Sequence, residues 1–259
     1  MYTKIILMAL AVWMTAGFHA TFAQSMSGKE IIEEVYYRPQ GDDQESSLTM
    51  TLINSRGDQR VREIRQFMKD LGEVEKSIMF FTSPADVTDT SFMNWSYADG
   101  SDDDQWIYLP SIRRVRRISS DSKTDRFMGS DFTYDDLGDR HPDDDTHERL
   151  PDETIDGLDC YVVESKSKDP DYLYSRTVTW IDRETLIGVQ KEFYDRDGDL
   201  LKVLTVKNHE HISGFDIITH SEMHDVQRDH RTIMELNDVQ INTGVSENMF
   251  TERMMSRGL

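Results

Sequence analysis

Between residues 47 and 54 the chain reads "SLTMTLIN", with Leu48, Met50 and Leu52 alternating against Ser47, Thr49 and Thr51. A period of two places three apolar side chains on one side of an extended segment and predicts a half-buried strand. The preceding stretch, "SGKEIIEEVYYR", has a different rhythm. Ile31, Ile32, Val35 and Tyr36 recur at helical spacing, and Ser27 is followed three residues later by Glu30, which predicts a helix opened by a capping box. After the turn "SRGDQ", the segments "RVREIRQFMKD", "EVEKSIMFFTSP" and "DQWIYLP" return to strand character, separated by polar loops.

The second half repeats this grammar. "GLDCYVVESKSK", "RTVTWIDRETL", "GVQKEFYDRDGDLLKVLTVKNHEHI", "FDIITHSEMHDV" and "HRTIMELNDVQIN" are β-branched and aromatic runs with hairpin-like joints, the clearest being "DRDG" at Asp195–Gly198. No strand–helix–strand alternation appears, which argues against a parallel sheet. The pattern predicts a mainly β chain of α+β class: one long antiparallel meander, an N-terminal helix and one or two short helices in the middle. The acidic stretch from Asp135 to Asp159 reads as a solvated insert.

The N-terminus changes where this domain is expected to work. Lys4 precedes an apolar run from Ile5 to about Ala16, and Thr21-Phe22-Ala23 offers small residues at the positions a signal peptidase needs. Residues 1–23 are read as a cleaved secretory leader, too short for a good membrane span, and residues 24–259 as a single domain. No cysteine follows the cleavage point, so the expected product is soluble, non-lipidated and exported across the inner membrane.

Composition narrows the partners. With 49 acidic against 29 basic side chains the formal net charge is −20, which disfavours nucleic acid. Cys160, the sole cysteine, cannot form an internal disulfide and sits among apolar residues as a buried strand thiol. Asp195, Asp197 and Asp199 resemble a calcium loop, but Gly198 stands at the fourth place rather than the sixth, and a hairpin turn accounts for them. His209, His211, His220, His224 and His230 match no metal spacing and read as exposed strand positions. No metal, cofactor or catalytic residue is nominated, and the hydrolase motifs are missing.

One feature stands against the overall charge. Arg113, Arg114, Arg116 and Arg117 fall within five positions, directly after Trp106, Tyr108 and Pro110. On a resumed strand Arg114 and Arg116 share one face, and Arg113 and Arg117 the other. Two uses are open: internal pairing with the acids from Asp135 onward and in "SDFTYDDL", or recognition of an anionic head group or an acidic partner.

The stretch "WIYLPSIRRVRRISSDSKTDRFMGSDFTYDDL", together with "FFTSPADVTDTSFMNW" and the late "VSENMF", resembles the outer membrane lipoprotein-sorting proteins, relatives of the periplasmic lipoprotein carrier LolA. Asp89 departs from the pattern, standing where a glycine is common in that family. The resemblance spans nearly the whole mature chain. It implies a LolA/LolB-like fold, a curved antiparallel sheet forming an open or half barrel with helices over its concave face. It also implies a non-enzymatic periplasmic carrier of a lipid or of lipoprotein acyl chains. An RND-type inner-membrane transporter is the implied partner, and an accessory subunit docking there without carrying anything is the alternative. The ligand-binding residues expected on this reading are Trp106, Tyr108, Arg113, Arg114, Arg116, Arg117, Phe127 and Phe132, with the aromatics walling a greasy pocket and the arginines at its polar end.

Overall fold

The computed structural model describes residues 26–259. The leader expected over residues 1–23 lies outside them. Helix α1 (Gly28–Tyr36) opens the described chain, and its capping box is formed: the Ser27 backbone N–H donates to Glu30 at 2.7 Å and the Glu30 N–H donates back to the Ser27 hydroxyl. Six strands follow: β1 (Asp43–Ile53), β2 (Gln59–Asp70), β3 (Val74–Ser83), β4 (Ser91–Tyr97), β5 (Asp104–Leu109) and β6 (Arg114–Arg117). Seven more come after residue 144: β7 (Asp145–Ile155), β8 (Leu158–Ser167), β9 (Arg176–Asp182), β10 (Gly188–Tyr194), β11 (Leu200–Ile212), β12 (Phe215–Asp225) and β13 (His230–Ile241). The short helix α2 (Glu252–Arg257) closes the chain.

All thirteen strands join one antiparallel sheet in the order β6-β5-β4-β3-β2-β1-β13-β12-β11-β10-β9-β8-β7. Each half is a meander, and β13 returning to β1 welds them together. The sheet does not close, because β6 and β7 are left as its two edges. Register shifts in six of the strand pairings provide the local bends a large twisted sheet needs in order to curl.

The chain between the two edges, residues 118–144, crosses the concave face and fills it. Four single turns of 3-10 helix shape this crossing segment: Ser120–Ser122, Phe127–Gly129, Asp135–Leu137 and Pro142–Asp144. Phe127 is fully buried, with ring centroids 5.9 Å from Phe81, 5.1 Å from Phe92 and 5.6 Å from Tyr134. Leu48, Met50, Leu52 and Ile64 join the same cluster, so the alternation of "SLTMTLIN" faces inward as expected. Helix α1 lies over this face too, with Ile31 packed on Val163 and Ile181. Helix α2 takes the opposite face: Phe250 and Met255 pack against Phe67, Phe80 and Met93. Adjacent residues thus serve different layers, Phe80 outside and Phe81 inside.

The acidic stretch Asp135–Asp159 is not a solvated insert. Its second half is strand β7, whose charged residues protect a sheet edge from pairing with other chains. In its first half Asp135 and Asp136 are half-buried and bonded on the concave face, while Asp139 and Asp143 are exposed. Cys160 is fully buried in β8, and the Asp195–Gly198 turn is closed by Gly198 N–H to Asp195 carbonyl at 3.0 Å.

Candidate functional site

The crossing segment dips into the concave face as a miniature hairpin. Arg126 bridges Thr133, and the Phe127 N–H donates to the Phe132 carbonyl at 2.8 Å. The tip turns through Met128 (φ 49°) and Gly129 (φ 77°), and glycine takes the second position at no steric cost. Arg62 of β2 holds this tip with a 2.6 Å bond to the Met128 carbonyl.

Below the tip, Asp131 is the hub of a buried polar network. Its carboxylate accepts from Thr232 at 2.7 Å, meets His230 Nδ1 at 2.7 Å and pairs with Arg126 at 3.3 Å, while Arg126 also reaches Asp225 at 2.7 Å. Asp136 accepts from Lys202, from the Thr133 N–H at 2.6 Å and from the Tyr174 hydroxyl at 2.8 Å. Asp135 accepts from Tyr172, and burial pushes its carboxyl above the usual range. Burial also raises the Tyr172 and Tyr174 hydroxyls far above their ordinary values, with the neighbouring carboxylates adding to the shift, so both remain donors. His230 is therefore a half-buried network member rather than an exposed strand position; His209, His220 and His224 are half-buried too, and of the five late histidines only His211 is exposed.

These acids are bonded by Lys202 of β11, by His230 and Thr232 of β13, by Arg126 of the hairpin itself and by Tyr172 and Tyr174, not by the arginine cluster. Among the described residues, Arg117 pairs with Asp104, and Arg113, Arg114 and Arg116 have no ion-pair partner. All four arginines are exposed. Arg113 sits at φ 51° in the turn after Pro110, and the other three form the edge strand β6. Register sorts the strand residues: Arg114 lies opposite Leu109 and Arg116 opposite Ile107, whereas Arg117 lies opposite Trp106. Trp106 and Tyr108 pack with the α2 layer on the outer face. The eight residues expected to bind ligand are thus divided: Arg114, Arg116, Phe127 and Phe132 serve the concave side, Trp106, Tyr108 and Arg117 the outer side, and Arg113 the turn.

Two hollows flank the hairpin. The first, about 370 Å³, opens beside β5 and β6, with Ile107, Leu109, Met128 and Tyr134 as apolar wall and Arg116 and Arg126 at its rim. The second, about 290 Å³, lies under β9 to β12, with Phe132, Tyr174, Phe193, Leu204 and Met223 as the apolar part of its wall and Asp135, Asp136, Asp139, Asp145, Arg140, Arg176 and Lys191 as the charged part. A third, about 370 Å³, is polar, with Glu75, Asn94, Ser96 and Asp139 on its walls.

The comparisons fit this architecture. A crystal structure described as an outer membrane lipoprotein-sorting protein domain, from Vibrio parahaemolyticus, is 34% identical over 89% of this chain and 98% of its own, with a TM-score of 0.84. This chain belongs to that outer membrane lipoprotein-sorting family. A DUF1329 family protein from Desulfovibrio piger is 29% identical over 88% of this chain and 97% of its own, also at a TM-score of 0.84. A LolA superfamily protein from Nitrosomonas europaea shares the fold at 19% identity, covering 88% and 99% of the two chains with a TM-score of 0.67. A family model whose description reads "-like: Uncharacterized protein" matches residues 73–257. No curated protein matches the chain.

Within the lipoprotein-sorting family the departure at Asp89 has a local reason. Asp89 adopts φ 66°, a left-handed conformation that glycine takes freely and that aspartate tolerates better than most residues. The sequence motif "FMGSDFTYDDL" is likewise explained by the hairpin and its buried acids. What the sequence reading missed is the second hollow. Its signal was present in "GVQKEFY", where Lys191 and Phe193 are two apart and so share a face.

Proposed function

We propose that this protein is a periplasmic, non-enzymatic carrier that holds a hydrophobic ligand, a lipid or a lipid-modified molecule, on the concave face of its open barrel. The observation carrying this reading is the pair of hollows on either side of the crossing hairpin, each with aromatic and aliphatic side chains beside charged ones, in a sheet unsealed at both edges. Their volumes lie at the low end of ligand pockets, which run from roughly 300 to 1,000 Å³. Burying about ten methylenes supplies about 8 kcal/mol, enough for roughly micromolar affinity before the cost of immobilising the chain. Arg116, which lines the first hollow with Arg117 and Arg126, and Arg114 on the same face of β6 would orient an anionic head group through charge-assisted bonds.

The test is organic extraction and mass spectrometry of the exported protein, together with binding of a neutral lipophilic naphthylamine dye. A copurifying acyl species and saturable dye binding are expected. A protein that carries no acyl species and does not bind the dye would overturn the carrier reading. The double variant Arg114→Ala with Arg116→Ala is expected to weaken anionic lipids selectively. Equal binding of anionic and neutral lipids by parent and variant would remove the arginines from the ligand site and leave them free to serve a protein partner.

A further inference from the structure

The second hollow contains a cation that the fold leaves without a partner. Lys191 of β10 lies opposite Thr179 of β9 and Leu204 of β11, and Leu204 lies opposite Met223 of β12, so an inward row runs Thr179–Lys191–Leu204–Met223. The next inward row runs Thr177–Phe193–Lys202–Asp225. Two lysines therefore flank Phe193, their ammonium groups 5.1 Å and 5.0 Å from its ring centroid. They differ in one respect. Lys202 is bonded to the Asp131 carbonyl and the Asp136 carboxylate, whereas among the described residues Lys191 has neither a hydrogen-bond nor an ion-pair partner.

The acids around the hollow do not supply one. Asp136 is engaged by Lys202, Thr133 and Tyr174, Asp145 by Arg140, Asp135 by Tyr172 and Asp139 by Tyr36. Arg176, the remaining cation on its wall, faces Glu164 at 3.4 Å. Desolvation lowers the Lys191 pKa from its ordinary value, and the charges of Asp136, Asp145 and Asp135 offset it only in part, none of them reaching bonding distance. A charge kept in such a place is costly unless it is paired, and here the space beside it is open rather than filled.

We propose that Lys191 anchors the carboxylate of a single-chain amphiphile, a fatty-acid-like molecule whose hydrocarbon lies against Phe132, Phe193, Leu204 and Met223. The chemistry selects this class. One ammonium without a bonded partner matches one negative charge, Phe132, Phe193, Leu204 and Met223 form the apolar part of the wall while its aspartates are held by other donors, and the hollow of about 290 Å³ suits one chain rather than two. The site stands across the hairpin from Arg114 and Arg116 and does not involve them. It rests on the carrier reading for its apolar half.

The experiment uses the mature protein and displacement of the neutral naphthylamine dye by dodecanoate and by dodecanol. The parent is expected to prefer dodecanoate by about tenfold or more, the worth of a charge-assisted bond in a shielded site. Lys191→Met removes the charge at similar volume and should abolish that preference while leaving dodecanol binding intact. Lys191→Arg should restore it, and all the proteins compared carry Arg114→Ala with Arg116→Ala, so that the arginines beside the first hollow contribute nothing to the preference read. Because Lys191→Met deletes an unpaired charge, it should melt no lower than the parent. If Lys191→Met keeps the dodecanoate preference, or if the parent binds dye and dodecanol but shows no such preference, the anchor is refuted and the carrier reading survives. If the dye does not bind at all, both fail.

Discussion

Glu75 offers a direct test of the electrostatics of the concave face. It lies on β3 opposite Ser96 and Asp70, half-buried on the wall of the polar hollow. Burial first, and then the charges of Asp139, Asp70 and Asp103, together push its pKa up to about 7 from 4.5. A carboxyl whose folded pKa exceeds its unfolded value binds more protons when folded. Its ionisation therefore destabilises the fold as pH rises from 4.5 to about 7, and the full penalty is present above that window. Each pKa unit is worth about 1.4 kcal/mol, so this one group costs roughly 3 kcal/mol at pH 8 and almost nothing at pH 4. Glu75→Gln removes the titration at nearly constant shape. Urea unfolding of the parent and the variant at a series of pH values isolates the effect of Glu75 and of its coupling to Asp139, Asp70 and Asp103, because groups not coupled to it cancel in the difference. The variant should gain up to roughly 3 kcal/mol at pH 8, equivalent to about 6–12 °C in midpoint for a domain of this size, and the gain should vanish by about pH 4. A difference that does not change with pH, or a variant less stable than the parent at pH 8, would refute the reasoning.

Two further outcomes follow from the crossing segment. Phe127→Ala empties the centre of a fully buried aromatic cluster and should cost about 3–5 kcal/mol by urea denaturation, whereas Arg114→Ala with Arg116→Ala on the exposed edge should stay within about 0.5 kcal/mol. Asp131→Ala strips the partner from Arg126 and His230 at a side chain that is 0% exposed, and should cost about 3 kcal/mol, read by the same denaturation at pH 6.

Much of the fold was legible because its signals are local. The alternation of Leu48, Met50 and Leu52 marks β1, the Ser27–Glu30 pair marks the start of α1, and "DRDG" marks the β10–β11 turn, each within a window of a few residues. Strand β7 escaped notice because an edge strand has no buried face to impose alternation, and its charges read as solvated loop. The family motif was equally conspicuous, yet its chemistry was not readable from the motif alone. Asp131 finds Thr232 across 101 positions, and Asp136 finds Lys202 across 66. Four adjacent arginines looked like the partners for those acids, but strand register places them on an exposed edge.

The sequence by itself determined the strands, the helix cap, the turns and the mainly β class, since backbone preference and side-chain period act between near neighbours. Only the tertiary structure decided which face became the interior, which acids were neutralised, and that Lys191 was not. Those outcomes depend on β13 returning to β1 and on one loop crossing the barrel, contacts between residues too far apart in the chain for any local pattern to encode.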